Sequence, residues 1–364
     1  MSAPDVIIIG GGIAGLTTAF ACARRGLTVT LIDAADRGAA SSASAGVLGP
    51  SIGRGPKSGR VGRFMFAARD RYPAFLAELR DLTGVRVPTV EGAIELALNE
   101  THLAELRARG ASLPDAVLLD AEMVAALEPA LVRVAGALHH PRDGAVDVAA
   151  LLDALHTAVI ASGRVTTVSS RVEAIAGAGG ALPDVTLGDG SVHRAPHIVL
   201  AGGAWTTAVR GLPRALPLRP VKGEVARADG AAPVRRVVFG AGGYLVPRGG
   251  SLLIGATSEE AGFDVEPTTA AAATLVTTAR ALLDSWPAGA ARFPEQWAGL
   301  RPMTPDGYPI LGRDPEATAL LYACGYSRNG VLVSPLAAEC IAALIVGEKP
   351  EFDLSAFAVT RFRG

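Results

Sequence analysis

Residues 5 to 33 read DVIIIGGGIAGLTTAFACARRGLTVTLID, and this stretch restricts the fold of the 364-residue chain more tightly than any other. The run from Val6 to Ile9 is too short for a helix and rich in β-branched residues, which predicts a buried parallel strand. Gly10, Gly12 and Gly15 follow in G-x-G-x-x-G spacing. Gly10 permits the tight turn, Gly12 lets backbone N–H groups approach a pyrophosphate, and Gly15 lets the next helix pack closely on the strand. That helix opens near Ile13 and Ala14, its positive end facing the pyrophosphate. Asp33, followed by Ala34, closes a second strand where a carboxylate can accept hydrogen bonds from a ribose diol and repel a 2′-phosphate. Strand, turn, helix and acid in this order predict a site for the ADP half of FAD or NAD.

Length predicts about two domains. With 34 basic and 35 acidic side chains the net charge is −1, so no global field draws the chain to nucleic acid or an anionic membrane. No apolar run is long enough to span a bilayer. A first strand starting by residue 5 leaves no room for a signal peptide, and the expected compartment is cytoplasmic. Cys22, Cys324 and Cys340 are widely spaced and form no C-x-x-C, which fits reduced core thiols.

Further along, Asp36 to Pro50 is a small-residue segment with no periodicity. Gly62 to Thr83 has helical spacing of apolar residues, with a break predicted at Pro73. Val90 to Leu98 reads as a strand and Thr101 to Arg109 as a helix. Asp120 and Asp147 are predicted N-caps of two further helices. Val165 to Ile175 leads to a turn and then a hairpin-like stretch through Val185 to Val192, and His197 to Trp205 reads as a second buried strand ending on paired glycines. Gly243 to Thr257 reads as a hairpin turning at Gly249 and Gly250. Thr269 to Trp286 is a predicted helix, Leu320 to Ala323 a strand, and Val331 to Gly347 the last helix. A second G-x-G-x-x-G unit with its acid is missing, which favours substrate oxidation over electron uptake from a nicotinamide.

Four segments, VIIIGGGIAGLTTAF, SSASAGVLGP, WAGLRPMTPDGYPILG and ACGYSRNGVLVSPLAA, give nearly the whole chain a resemblance to the D-amino acid oxidase superfamily of FAD enzymes, especially its glycine oxidase branch. The resemblance implies an α/β plus α+β fold: a Rossmann-like FAD domain at 1–85, 141–212 and 298–364, and a discontinuous substrate domain at 86–140 and 213–297, built on an antiparallel sheet. It implies non-covalent FAD, with Ser41, Ser42, Ala45, Gly46, Val47 and Leu48 along the flavin and Val172 at the adenine. Gly202 and Trp205 belong to the second cofactor-facing strand, although the Trp205 ring itself reads as packing. Gly325, Tyr326, Asn329, Gly330, Val331 and Leu332 correspond to the loop and helix start that stabilise reduced flavin. Arg301 and Tyr244 match the pair that clamps a substrate carboxylate, and Arg328 a further pocket arginine.

The implied activity is oxidative deamination of glycine or small D-amino acids to 2-oxo acid, ammonia and hydrogen peroxide, with hydride passing to flavin N5. Supply of glycine imine for thiazole formation in thiamine biosynthesis is implied likewise, as is a homo-oligomer acting on a small amino acid with oxygen. Two other readings share these motifs: a sarcosine- or D-proline-type secondary amine oxidase or a D-amino acid dehydrogenase, and a non-catalytic flavin-binding protein. Tyr326 and Ser327 stand before R-N-G where the family has a histidine and an aromatic residue, so a larger pocket is expected. His139 and His140 read as a surface loop before Pro141 rather than a metal site. Arg54, Lys57, Arg60 and Arg63 read as a solvated loop, with attraction of an acidic substrate as the alternative.

Overall fold

A buried parallel sheet organises one half of the molecule, whose computed structural model describes residues 3–53, 58–113, 115–230, 232–285, 293 and 295–362. Its strands follow the order Ile310–Arg313, Leu320–Cys324, His197–Leu200, Val6–Ile9, Val29–Asp33 and Val165–Ser169. All neighbours run parallel except the edge strand Ile310–Arg313, which is antiparallel to Leu320–Cys324. Both faces are covered, which is why these strands read as unbroken apolar runs. Ile8 and Leu31 face a layer of helices that includes Ile13–Arg24, Gly59–Thr83, Val148–Ala161 and Gly330–Ile345. Ile7 and Ile9 face a small sheet of Val172–Ala176, Asp184–Leu187 and Val192–Arg194.

The other half is a mostly antiparallel sheet in the order Glu295–Met303, Arg219–Asp229, Ser251–Gly255, Gly243–Arg248, Val237–Gly240, Thr89–Ala97, Gly136–Val146 and Val47–Leu48, with Val117–Asp120 also pairing Gly136–Val146. Its side chains alternate faces with period two. Ile94, Ala226, Val238, Leu245 and Ile254 pack toward the helix Thr269–Leu282, whereas their neighbours Ala93, Val225, Val237, Val246 and Leu253 form a second cluster on the opposite face, joined by Tyr244 and Phe239. That opposite face looks toward the parallel half.

Asp120 and Asp147 cap their helices, accepting from Met123 and Ala150 at 2.8 and 3.1 Å. The three cysteines are free and buried. Three expectations are corrected. The Gly59–Thr83 helix runs through Pro73 without a break, because it buries Phe64, Met65, Tyr72, Phe75 and Leu79. At about 1.5–3 kcal/mol for each such side chain, this burial outweighs the roughly 3 kcal/mol of an interior proline. The helix predicted to reach Trp286 ends at Leu282, and Trp286 lies outside the described residues.

His139 and His140 are not on a surface loop but inside the strand Gly136–Val146, paired with Ile94 and Ala93, and His140 is 2% exposed. Pro141, which made this stretch look irregular, falls where the register against Thr89–Ala97 shifts between Glu91 and Ala93. A bulge tolerates a residue without an N–H, so the strand continues past it.

Candidate active site

A cavity of about 910 Å³ lies between the two sheets and receives residues from both. Its volume is at the upper end of small-molecule sites, room for a ligand larger than an amino acid. At one end the glycine turn meets the helix Ile13–Arg24. Gly10 has φ of +110°, and a side chain at Gly15 would collide with the Gly10 carbonyl oxygen. Asp33 turns back at the strand end, its Oδ1 accepting from the Gly11 N–H at 2.9 Å. Ser41 comes in from the small-residue segment, and its Oγ accepts from Ile13 N–H at 2.9 Å. Gly330 and Val331, the start of the Gly330–Ile345 helix, line the same cavity. Two helix N-termini bordering one chamber favour an anionic or electron-rich ligand. The glycine cradle, both helix starts and a volume of about 910 Å³ fit a flavin dinucleotide.

The other end is built on the antiparallel sheet. Arg301 on Glu295–Met303 and Tyr244 on Gly243–Arg248 are separated by the strands Arg219–Asp229 and Ser251–Gly255. Those intervening strands carry glycine where the two side chains must lie: a Cβ at Gly223 would fall inside the Arg301 guanidinium, and one at Gly255 inside the Tyr244 ring. Arg301 Nη1 donates to the Thr257 carbonyl at 3.1 Å. Among the described residues no carboxylate lies within ion-pairing distance of Arg301, whose partly buried guanidinium lines the cavity. Burial draws its pKa below the usual value, Tyr244 opposes this and the nearby Arg328 adds to it. Burial pushes the Tyr244 phenol up, which keeps it a neutral donor. Its ring lies 5.7 Å from that of Phe239. Arg328 is exposed at the cavity's edge.

Of the residues expected from sequence, Gly10, Gly12, Ile13, Ala14, Asp33, Ala34, Ser41, Ser42, Ala45, Gly46, Val47, Val172, Gly202, Trp205, Gly325, Tyr326, Asn329, Gly330 and Val331 line this cavity together with Arg301, Tyr244 and Arg328. Gly15, Leu48 and Leu332 do not. Gly15 sits in the helix–strand contact behind the turn, and Leu48 and Leu332 belong to the core. Gly202 and Trp205 lie beyond the expected strand, which ends at Leu200: Gly202 precedes a short 3-10 helix, Gly203–Ala208, that carries Trp205, and Trp205 both lines the cavity and packs on Phe263, ring centroids 5.8 Å apart. Arg54 and Lys57 lie outside the described residues. Arg60 and Arg63, expected in a solvated loop, instead lie in the first turns of the Gly59–Thr83 helix, and neither lines the cavity; Arg60 is drawn to the C-terminal segment, 3.3 Å from Asp353 and donating to Ser355 at 2.8 Å.

Sequence reasoning missed Glu95. It lines the cavity on Thr89–Ala97, directly across from Phe239 in register. Burial alone would raise its carboxyl; hydrogen bonds from His140 and the Gly53 N–H and the charge of Arg109 outweigh burial and hold it below the ordinary value. An acid inside the apolar alternation of AIELAL was the available signal. Among the described residues no cluster of acids, histidines and cysteines is arranged to hold a metal, and no helix is long and apolar enough to cross a membrane.

Comparison with known proteins agrees with this geometry. Over 374 aligned residues the chain is 34% identical to a glycine oxidase of Geobacillus kaustophilus (strain HTA426), covering 99% of this chain and 97% of that one. It is 33% identical to a bifunctional protein ThiO/ThiG of Trichormus variabilis, of which it spans 55%. The crystal structure of glycine oxidase from Geobacillus kaustophilus superposes with a TM-score of 0.92 at 31% identity, covering all of both chains. A family model described as DAO, FAD dependent oxidoreductase, matches residues 5–344, and the chain belongs to that family.

Proposed function

We propose that this chain oxidises glycine and other small amino acids to the 2-oxo acid and ammonia, with oxygen as final acceptor. The observation that carries this reading is the pairing of Arg301 and Tyr244 over two glycines at one end of a cavity whose other end is a dinucleotide cradle. Arg301 binds the substrate carboxylate through its planar fork, with Thr257 fixing the guanidinium from behind. Tyr244 donates its hydroxyl to the same carboxylate. Held this way, the substrate presents Cα–H to the flavin side of the chamber, and orientation supplies most of the rate. Bound flavin supplies the acceptor for the hydride that leaves Cα.

No residue need act as a strong base: the ammonium loses one proton to solvent before the Cα–H bond breaks. One amino acid, one oxygen and one water then give one 2-oxo acid, one ammonia and one hydrogen peroxide. Asp33, Ser41 and the two helix starts hold the dinucleotide, Val172 meets the adenine, and Gly46 and Val47 flank the ring system. In this reading residues 1–85, 141–212 and 298–364 form the cofactor domain, and 86–140 and 213–297 form the roof over the substrate.

The test is anaerobic mixing with glycine, sarcosine and a panel of D- and L-amino acids while the flavin's visible band is followed, then admission of air. Bleaching by glycine with rapid recovery and peroxide is expected. Bleaching only by sarcosine, by acidic D-amino acids, or without recovery in air would replace the reading with a secondary amine oxidase, an acidic D-amino acid oxidase or a dehydrogenase.

A further inference from the structure

The segment from Gly49 to Gly53 borders the cavity, and two buried carboxylates from the antiparallel sheet hold its main chain. Asp143, whose side chain is fully buried, accepts from the Ser51 N–H at 3.0 Å and from Ser51 Oγ at 3.2 Å. Glu95 Oε1 accepts from the Gly53 N–H at 3.1 Å. Ile52, between these two anchors, lines the cavity and packs in the cluster that contains Phe239 and Tyr244. Each acid is fixed from behind. Arg69 donates to Asp143 at 2.8 Å, while Glu95 Oε2 meets Arg109 and, at 3.1 Å, His140 Nε2.

Buried ion pairs of this kind contribute little net stability compared with apolar side chains of similar volume. Two of them anchoring Ser51 and Gly53, on either side of the cavity-lining Ile52, therefore point to placement of that wall.

We propose that Glu95 is a positioning residue for the reaction: held by Arg109 and His140, it fixes the Gly53 main chain and so keeps Ile52 packed as chamber wall in the cluster it shares with Phe239 and Tyr244. The proposal rests on the amino acid oxidase reading of this cavity. Both Glu95 carboxylate oxygens are engaged within the protein, Oε1 by Gly53 and Oε2 by Arg109 and His140, so it acts through Gly53 and Ile52. The wall limits the positions a small substrate can take once its carboxylate is on Arg301, so loosening it weakens productive binding more than it slows the chemical step.

The experiment compares Glu95→Ala and Glu95→Gln in the flavin-loaded enzyme, using steady-state kinetics and amide hydrogen exchange of peptides covering residues 49 to 53. Glu95→Ala is expected to raise KM about 10-fold with kcat within about twofold, a size consistent with a small misplacement of a positioned reactant. Exchange in that segment should rise by a similar factor while peptides from the parallel sheet are unchanged. Glu95→Gln retains an acceptor for Gly53 and should recover most of the KM. An unchanged KM overturns the proposal, whatever exchange does. So does a parallel loss of kcat, flavin content and protection throughout the chain, which would mark a merely structural role. If the wild type is reduced by no amino acid, the functional reading fails instead, and that is visible before any variant is made.

Discussion

The two halves of this molecule build their parts of one cavity by different means. The parallel half works with main chain: a glycine turn and two helix starts present N–H groups, and side chains matter there mostly by being small. The antiparallel half works with side chains, Arg301, Tyr244, Phe239 and Glu95, each from a different strand and spread over about two hundred residues of sequence. Main-chain sites leave a local signature because turn geometry restricts residue type within a few positions. Convergent side-chain sites leave none, since register, not spacing along the chain, brings their members together.

If the parallel half depends on close backbone approach, one added side chain should cost it everything. Gly15→Val places atoms against the Gly10 carbonyl and should give protein without bound flavin and with a clearly lowered Tm, read from the visible-to-ultraviolet absorbance ratio and a thermal melt. Retention of flavin at normal stoichiometry would break the contrast. In the antiparallel half, removal of one side chain should damage substrate binding alone. Arg301→Ala should raise KM roughly 100-fold, about 3 kcal/mol for a lost charge-assisted interaction, with flavin content unchanged. An unchanged KM would remove Arg301 from the site.

Gly223→Ala sharpens the contrast, because it tests a glycine that serves a side chain. The new methyl displaces the guanidinium, and KM should rise about 10-fold, less than for loss of the arginine. The smallest effect is expected far from the cavity, at Asp314. Burial would raise its carboxyl, but bonds from Arg214, the Tyr322 hydroxyl and the N–H groups of Glu316 and Ala317 hold it below the ordinary value. A depressed folded-state pKa contributes stability above the unfolded value of about 3.9 and loses it as pH falls through the folded value. Asp314→Asn should therefore narrow the gap in urea midpoint between neutral and acid pH, with activity unaltered at neutral pH.

What was legible in the sequence follows the same division. Val6 to Asp33 gave strand, turn, helix and acid from residue types alone, and the Asp120 and Asp147 caps were equally local. Arg301 and Tyr244 came only through family likeness, because nothing near them in sequence marks them as partners. Glu95 and His140 were lost for a related reason: the adjacent Pro141 made the histidines look like a loop, and the bulge that accommodates it is set by the partner strand. Pro73 misled in the opposite direction, since its local penalty was visible and the buried helix face that outweighs it was not.

The stretch from Ala39 to Gly53 gives the chamber an unusual continuity. It bridges to Leu300 beside Arg301, caps the helix after the glycine turn through Ser41, adds Val47–Leu48 to the roof sheet and ends on the Glu95 contact. One short covalent ribbon thus borders the cavity from the glycine turn to the wall beside Glu95. The seam between the halves is therefore stitched by a shared strip, and any hinge that opened the chamber along it would have to peel the ribbon from one partner or the other.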